Sequence, residues 1–132
     1  MSNVPGDRKY TEDHEWVKDL GNGNAEIGIT DYAQAELSDI VYVELPAVGK
    51  EVRKGDVLAT LEAVKTVADV YAPIDGVVVE VNTSLENAPE TINNDPYGQG
   101  WIVRLQMHDS SQLNNLLSPE QYQKLIGDTN PS

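Results

Sequence analysis

Gly49, Gly55 and the pair Asp75-Gly76 cut the middle of this chain into brief runs rich in β-branched residues, and that punctuation constrains the fold more than any other feature. The runs are Val57 to Val64, Val67 to Ala72 and Val77 to Val81. Val41, Val43 and Leu45 alternate with Tyr42 and Glu44 before Pro46, and Trp101, Val103 and Leu105 supply one more strand. Upstream, His14 to Val17 and Ala25 to Ile29 are strand candidates joined by the turn cluster Gly21-Asn22-Gly23-Asn24. Short strands at this spacing predict an all-β barrel or sandwich. Helices are few. Thr30 or Asp31 caps a short one in which Ala33 and Leu37 share a face, ending near Ser38. Ser118-Pro119-Glu120-Gln121 opens another, with an N-cap, a proline at the first helical position and a capping-box glutamine; Tyr122, Leu125 and Ile126 face inward and Gly127 stops it.

The run from Val57 to Ala72 admits two readings. Val57, Leu61, Val64, Ala68 and Tyr71 fit a helical stripe, and no Gly, Pro or Asn marks a turn. Thr60, Val64, Thr66, Val67 and Val70 favour strands through their β-branching. Inside this run lies Lys65, the one lysine between Lys54 and Lys124. A solitary amine in an apolar, ordered segment suits a covalently attached group; the competing reading is a solvated lysine on the face of an element.

A chain of 132 residues is one domain with room for a real core. Its body is expected over about 8 to 127, with a flexible N-terminal arm and a C-terminal tail. No apolar run approaches the roughly 20 residues that span a bilayer. The first residues are neither a secretory leader nor an Arg-rich organelle address, so the expectation is a cytoplasmic protein of bacterial type, or one whose targeting peptide has been removed. The formal net charge of −13, with only nine Lys and Arg scattered along the chain, argues against nucleic acid and against an anionic membrane. The acids serve solubility, steering toward electropositive partners, or both. The absence of cysteine removes disulfides and thiolate chemistry, so any redox work requires an added cofactor. Two histidines, His14 and His108, exclude a His-rich metal site, no acid spacing matches a calcium loop, and there is no Gly-x-Ser-x-Gly turn or P-loop. Trp16, Tyr42 and Trp101 read as core or core-edge aromatics.

Glu62-Ala63-Val64-Lys65, followed by Asp69-Val70-Tyr71-Ala72-Pro73 and Gly76, resembles the lipoyl-attachment segment of the H protein of the glycine cleavage system. Tyr10-Thr11, His14-Glu15-Trp16-Val17, Gly28-Ile29-Thr30, Tyr32-Ala33-Gln34, Asp39 to Pro46, Ile92-Asn93 and Asp95-Pro96-Tyr97-Gly98 are similar to that family's other signatures in order and spacing, over roughly residues 8 to 127. The resemblance implies a mainly β, flattened hybrid of barrel and sandwich made of two small sheets, like lipoyl and biotinyl domains, with short peripheral helices and a C-terminal helix. It places Lys65 at the tip of a tight hairpin, carrying lipoate. Biotin carriers usually set their lysine between two methionines, unlike Val64 and Thr66, and the lipoyl domains of 2-oxo acid dehydrogenases usually put Asp before it.

The family implies a carrier, not an enzyme. Its lipoyl arm takes an aminomethyl group from a pyridoxal-phosphate glycine decarboxylase (P protein) and passes it to a tetrahydrofolate-dependent aminomethyltransferase (T protein). Dihydrolipoamide dehydrogenase (L protein) then reoxidises the arm. Lipoate-attaching enzymes would recognise Glu62 with Gly49 and Gly76, although turn geometry alone also explains the glycines. Glu15 and Asp69 map onto positions lining a cleft for the loaded arm. Asp13 and Glu36 are further cleft candidates that depart from the serine and histidine of some members, and Ser38 stands where glycine is common. A relay or donor of lipoate, or a lipoyl domain of another 2-oxo acid dehydrogenase-type system, remains the alternative. A carrier that visits several enzymes is expected to be a monomer with transient interfaces.

Overall fold

A computed structural model describes residues 3–127. Nine strands form two antiparallel sheets that do not close into a barrel. The larger runs β1-β2-β3-β9-β8-β5, built from Lys9–Tyr10 (β1), Glu15–Gly21 (β2), Asn24–Ile29 (β3), Glu51–Val52 (β5), Gly76–Val81 (β8) and Val103–Met107 (β9). The smaller runs β4-β6-β7, from Ile40–Glu44 (β4), Val57–Ala63 (β6) and Val67–Tyr71 (β7). Short helices cover the periphery: Asp31–Leu37 (α1), Thr91–Asn94 (α2) and Pro119–Leu125 (α3).

Both sheets bury one face in a shared core. Val17, Ile27 and Leu105 from the larger sheet are packed in one cluster with Val43, Leu61 and Val70 from the smaller. A second cluster, Tyr10, Trp16 and Tyr122, joins β1, β2 and α3 at full burial. Gly28 lies beneath the Trp16 ring, where a β-carbon would sit 2.7 Å from its atoms, and the indole N–H donates to the Pro96 carbonyl at 3.0 Å.

The helical reading of residues 57 to 72 fails, because β6 and β7 pair Glu62 with Val67 and Thr60 with Asp69 around a tight turn. The expected alternation of β4 is broken by a bulge between Ile40 and Tyr42: Ile40 and Val43 are buried while Val41 and Tyr42 both face solvent. Tyr42 is therefore not a core aromatic. At the other end of the chain α3 has its full capping box, but Leu125 points outward and Tyr122 alone of its residues is fully buried. Residues 3–8, expected as an arm, lie against the body. Asn3 N–H donates to Asp31, Tyr10 Oη bonds the Pro5 carbonyl, and the Arg8 guanidinium lies 4.6 Å from the Trp16 ring centre and 5.2 Å from that of Tyr97. The expected tail, 128–132, lies outside the described residues.

Candidate functional site

Lys65 sits exposed at the turn between β6 and β7. The Ala63 N–H donates to the Thr66 carbonyl at 2.8 Å, closing the hairpin, and the Val64 N–H donates to the Asp39 carbonyl at 3.1 Å. The second bond ties the turn to the segment before β4. That segment is itself held by Asn93, whose side chain accepts from the Ile40 N–H at 3.0 Å and donates to the Ser38 carbonyl at 2.7 Å and to Gln34 at 3.1 Å. The turn's placement thus depends on a carboxamide almost thirty residues downstream, which local sequence reasoning did not single out beyond the Ile92-Asn93 signature. Val64 and Val67 flank the lysine at 68% and 62% exposure. An amine on a pinned turn, bordered by bare apolar side chains, fits a long acyl group on its Nζ, because those side chains offer it an apolar surface.

Glu62 is exposed on the outer face of the smaller sheet, opposite Tyr42 of β4 and Val67 of β7. Gly49 and Gly76 belong elsewhere. The Gly49 N–H donates to the Val78 carbonyl at 2.7 Å and Gly76 opens β8, so both are joined to the larger sheet. Turn geometry explains Gly49, at φ 94°, but not Gly76, whose φ is not positive. At Gly76 a β-carbon would lie 2.5 Å from the Gln106 carbonyl oxygen, so close strand approach excludes a side chain there.

Glu15, at the start of β2, is 2% exposed. Its carboxylate accepts from the Thr11 hydroxyl at 2.6 Å and from the Tyr71 N–H of β7 at 3.0 Å. Tyr71 can reach it because β7 is the outer strand of its sheet, leaving that edge N–H without a strand partner. Burial pushes the Glu15 carboxyl up to about 7, against the opposing pull of these two hydrogen bonds, with the Asp13 charge adding to the rise. A cleft of about 610 Å³ opens beside it, lined among others by Thr11, Asp13, Glu15, Lys54 and Tyr71.

Of the four cleft candidates, Asp13 and Glu15 share this cleft. Glu36, on the exposed face of α1, does not line it; its charge and that of Asp13 act on His14, whose pKa burial nevertheless lowers. Asp69 lies two residues from Tyr71 on β7, between the Lys65 turn and the Glu15 contact, and accepts from the Thr60 hydroxyl at 3.1 Å. Three of the acids therefore surround the turn 11–15, and the fourth lies along the β7 edge. Thr11 and Tyr71, which hold the Glu15 carboxylate, were legible only as parts of motifs, since a backbone donor from a distant strand leaves no mark in the sequence.

Among the described residues no helix is long and apolar enough to cross a membrane, and no group of three or more His, Cys, Asp or Glu is placed to hold a metal.

Comparison with known proteins agrees along the whole body of the chain. The family model described as Glycine cleavage H-protein matches residues 8–129. A glycine cleavage system H protein of Coprothermobacter proteolyticus is 54% identical over 120 residues, 91% of this chain and 94% of its own length. Another, of Xanthomonas campestris pv. campestris (strain B100), is 52% identical over 128 residues, 97% of this chain and 98% of its own. In three dimensions the chain is similar to the crystal structure of a glycine cleavage system H protein from Mycobacterium marinum, with a TM-score of 0.86 and 40% identity over 94% of this chain and 99% of that one. The chain belongs to the glycine cleavage H-protein family, whose members are lipoyl carriers rather than enzymes.

Proposed function

We propose that this protein carries lipoate on Lys65 and shuttles the aminomethyl group of glycine from the P protein to the T protein, and electrons to the L protein, as a cytoplasmic monomer. The observation that carries this reading is the Lys65 amine, solitary and exposed on a turn pinned by the Val64–Asp39 hydrogen bond. When bound, lipoate supplies a strained disulfide that accepts electrons and a one-carbon fragment, chemistry that a chain without cysteine lacks.

The protein's own residues do the rest. The turn presents the amine to a lipoate-attaching enzyme, with Glu62 three residues upstream on the same hairpin as its recognition carboxylate. Gly49 and Gly76 assist recognition by preserving the larger sheet and its junctions. The β7 edge guides a loaded arm from the turn past Asp69 toward Glu15. There the buried carboxyl, raised to about 7, gains most from ionising when a cationic amine enters, and Asp13, which lines the same cleft, adds negative potential, while Glu36 acts only at the neighbouring His14. Burial keeps water from the loaded group.

Two assays test this. Intact mass and peptide mapping after separate incubation with lipoate-attaching and biotin-attaching enzymes should place one lipoyl group on Lys65; biotin, or no addition, would withdraw the assignment. A glycine exchange assay with the P protein then separates a glycine carrier from a lipoate relay, because only the former supports exchange.

A further inference from the structure

We infer that Tyr122, on the C-terminal helix, is a positioning residue for the Glu15 carboxylate, acting through the turn 11–15. This rests on the proposed role of Glu15 in the arm cleft and adds a device in a part of the chain to which that role assigns nothing.

The turn is held at two ends. On the cleft side, Thr11 and Glu15 are cross-tied: the Thr11 N–H donates to the Glu15 carbonyl at 3.0 Å, the Glu15 N–H to the Thr11 hydroxyl at 3.1 Å, and that hydroxyl to the Glu15 carboxylate. On the other side stands His14, at φ 70°, a left-handed conformation that is uncommon for a residue with a side chain, although histidine, with Asn and Asp, adopts it more often than most. The His14 carbonyl accepts from the Thr30 N–H at 3.0 Å. Its Nδ1 lies 2.8 Å from the Tyr122 hydroxyl, which lies 2.7 Å from the Thr30 hydroxyl. The Tyr122 ring is fully buried, stacked on Tyr10 at 4.8 Å, so its hydroxyl has no freedom to follow a wandering imidazole.

The donors and acceptors close into one chain. Thr30 Oγ1 accepts from the Ala33 N–H that caps α1 and shares a hydrogen bond with the Tyr122 hydroxyl, which shares a second with His14 Nδ1; for a neutral imidazole protonated at Nε2, the protons run from Thr30 to Tyr122 to Nδ1. The imidazole is otherwise packed against the Tyr32 ring at 4.8 Å, with Asp13 and Glu36 as the charges that face it. One buried hydroxyl from α3 therefore joins the start of α1 to the residue preceding Glu15. Removing it frees His14 to relax toward ordinary backbone angles, and the Thr11–Glu15 tie must move with it.

The test reads Glu15 itself. Titration of its carboxyl carbon by NMR in the full unloaded chain should give a midpoint near 7 in the native protein. Tyr122→Phe keeps the stacked ring and removes the hydroxyl; the midpoint should fall by about one unit as water reaches the carboxyl. His14→Asn keeps a residue type that tolerates positive φ but withdraws the imidazole, giving an independent variant with the same expected shift. The double variant should shift no further than either single, because both break one link. An unmoved midpoint in the two single variants, or shifts that add in the double, overturns the proposal. Native rates of loss of the loaded group from a Glu15→Gln carrier would overturn the cleft reading instead, and the NMR shift in Tyr122→Phe tells the two failures apart.

Discussion

Ser38 occupies φ 63°, ψ −147°, a region open to glycine and costly, by about 1–3 kcal/mol, for any residue with a β-carbon. It is kept there because its carbonyl accepts from Asn93 and its N–H donates to the Gln34 carbonyl at 2.9 Å, ending α1. Ser38→Gly should therefore raise unfolding free energy by about 1 kcal/mol, after allowance for the greater freedom of glycine when unfolded; an unchanged urea midpoint would mean that the strain is relieved elsewhere. Glu15 makes a second prediction at this scale. Its carboxyl titrates near 7 when folded and near the ordinary value of 4.5 when not, so between those values the native state holds more protons than the unfolded one. Stability from this group is present below about pH 4.5 and is lost as pH rises toward 7, a change of about 3 kcal/mol at 1.4 kcal/mol per unit. His14 opposes it, since its lowered pKa makes the fold less stable as pH falls below the ordinary histidine value of 6.5. Comparing urea stability of native and Glu15→Gln proteins across pH 4 to 8 cancels the histidine; parallel curves would remove the raised carboxyl from the account.

The hairpin, as an element, separates presentation of Lys65 from stability. Lys65 touches no core, so Lys65→Arg should keep the native melting temperature and lose all loading by mass; a lowered melting temperature with retained glycine turnover would refute that separation. The glycines behave differently. Gly49→Ala meets no atom within 4 Å and suffers only its positive φ, about 1 kcal/mol, whereas Gly76→Ala forces β8 away from β9 and should cost more, about 2 kcal/mol or above. Equal urea midpoints for the two variants would mean that β8 yields more easily than its register suggests. Much of this element scale was legible in the sequence, for identifiable reasons. The cap and proline of α3, the caps of α1 and the 21–24 turn are local chemistry, and each falls where its residues predicted. What escaped were effects set by distant partners. The bulge that turns Val41 and Tyr42 outward is imposed by pairing with β6, the crowding at Gly76 comes from β9, and the burial of Arg8 comes from Trp16 and Tyr97. Lys65 was readable because one lysine interrupts an apolar run; the Tyr71 N–H that meets Glu15 was not, because every non-proline residue carries such a group.

At the scale of the whole molecule, the acids are spread along the chain, and the sheet that bears the site has its share of them. The three strands of the smaller sheet contain Glu44, Glu62 and Asp69 and no Lys or Arg, so Lys65 is the sole cation of the hairpin, and acylation would neutralise it. The charged residues of that sheet and its hairpin turn are then all anionic, with Lys54 as the cation of the neighbouring cleft, within a chain of formal charge −13. Arg104, by contrast, is already engaged, 2.7 Å from Glu26 and 2.8 Å from Glu80 on the other sheet. Such an arrangement favours encounter with electropositive enzyme surfaces while discouraging self-association. If the proposed transfer to the T protein is steered by charge, its kcat/KM for the loaded carrier should fall several-fold as ionic strength rises from about 0.01 to 0.15 M, with kcat little changed, because screening over roughly 8 Å acts on the encounter and not on the docked complex. A salt-independent kcat/KM would leave the acids with solubility as their whole role. The distinction matters because a carrier that must leave each enzyme quickly gains more from a fast approach than from a tight hold, and long-range charge supplies the first without the second.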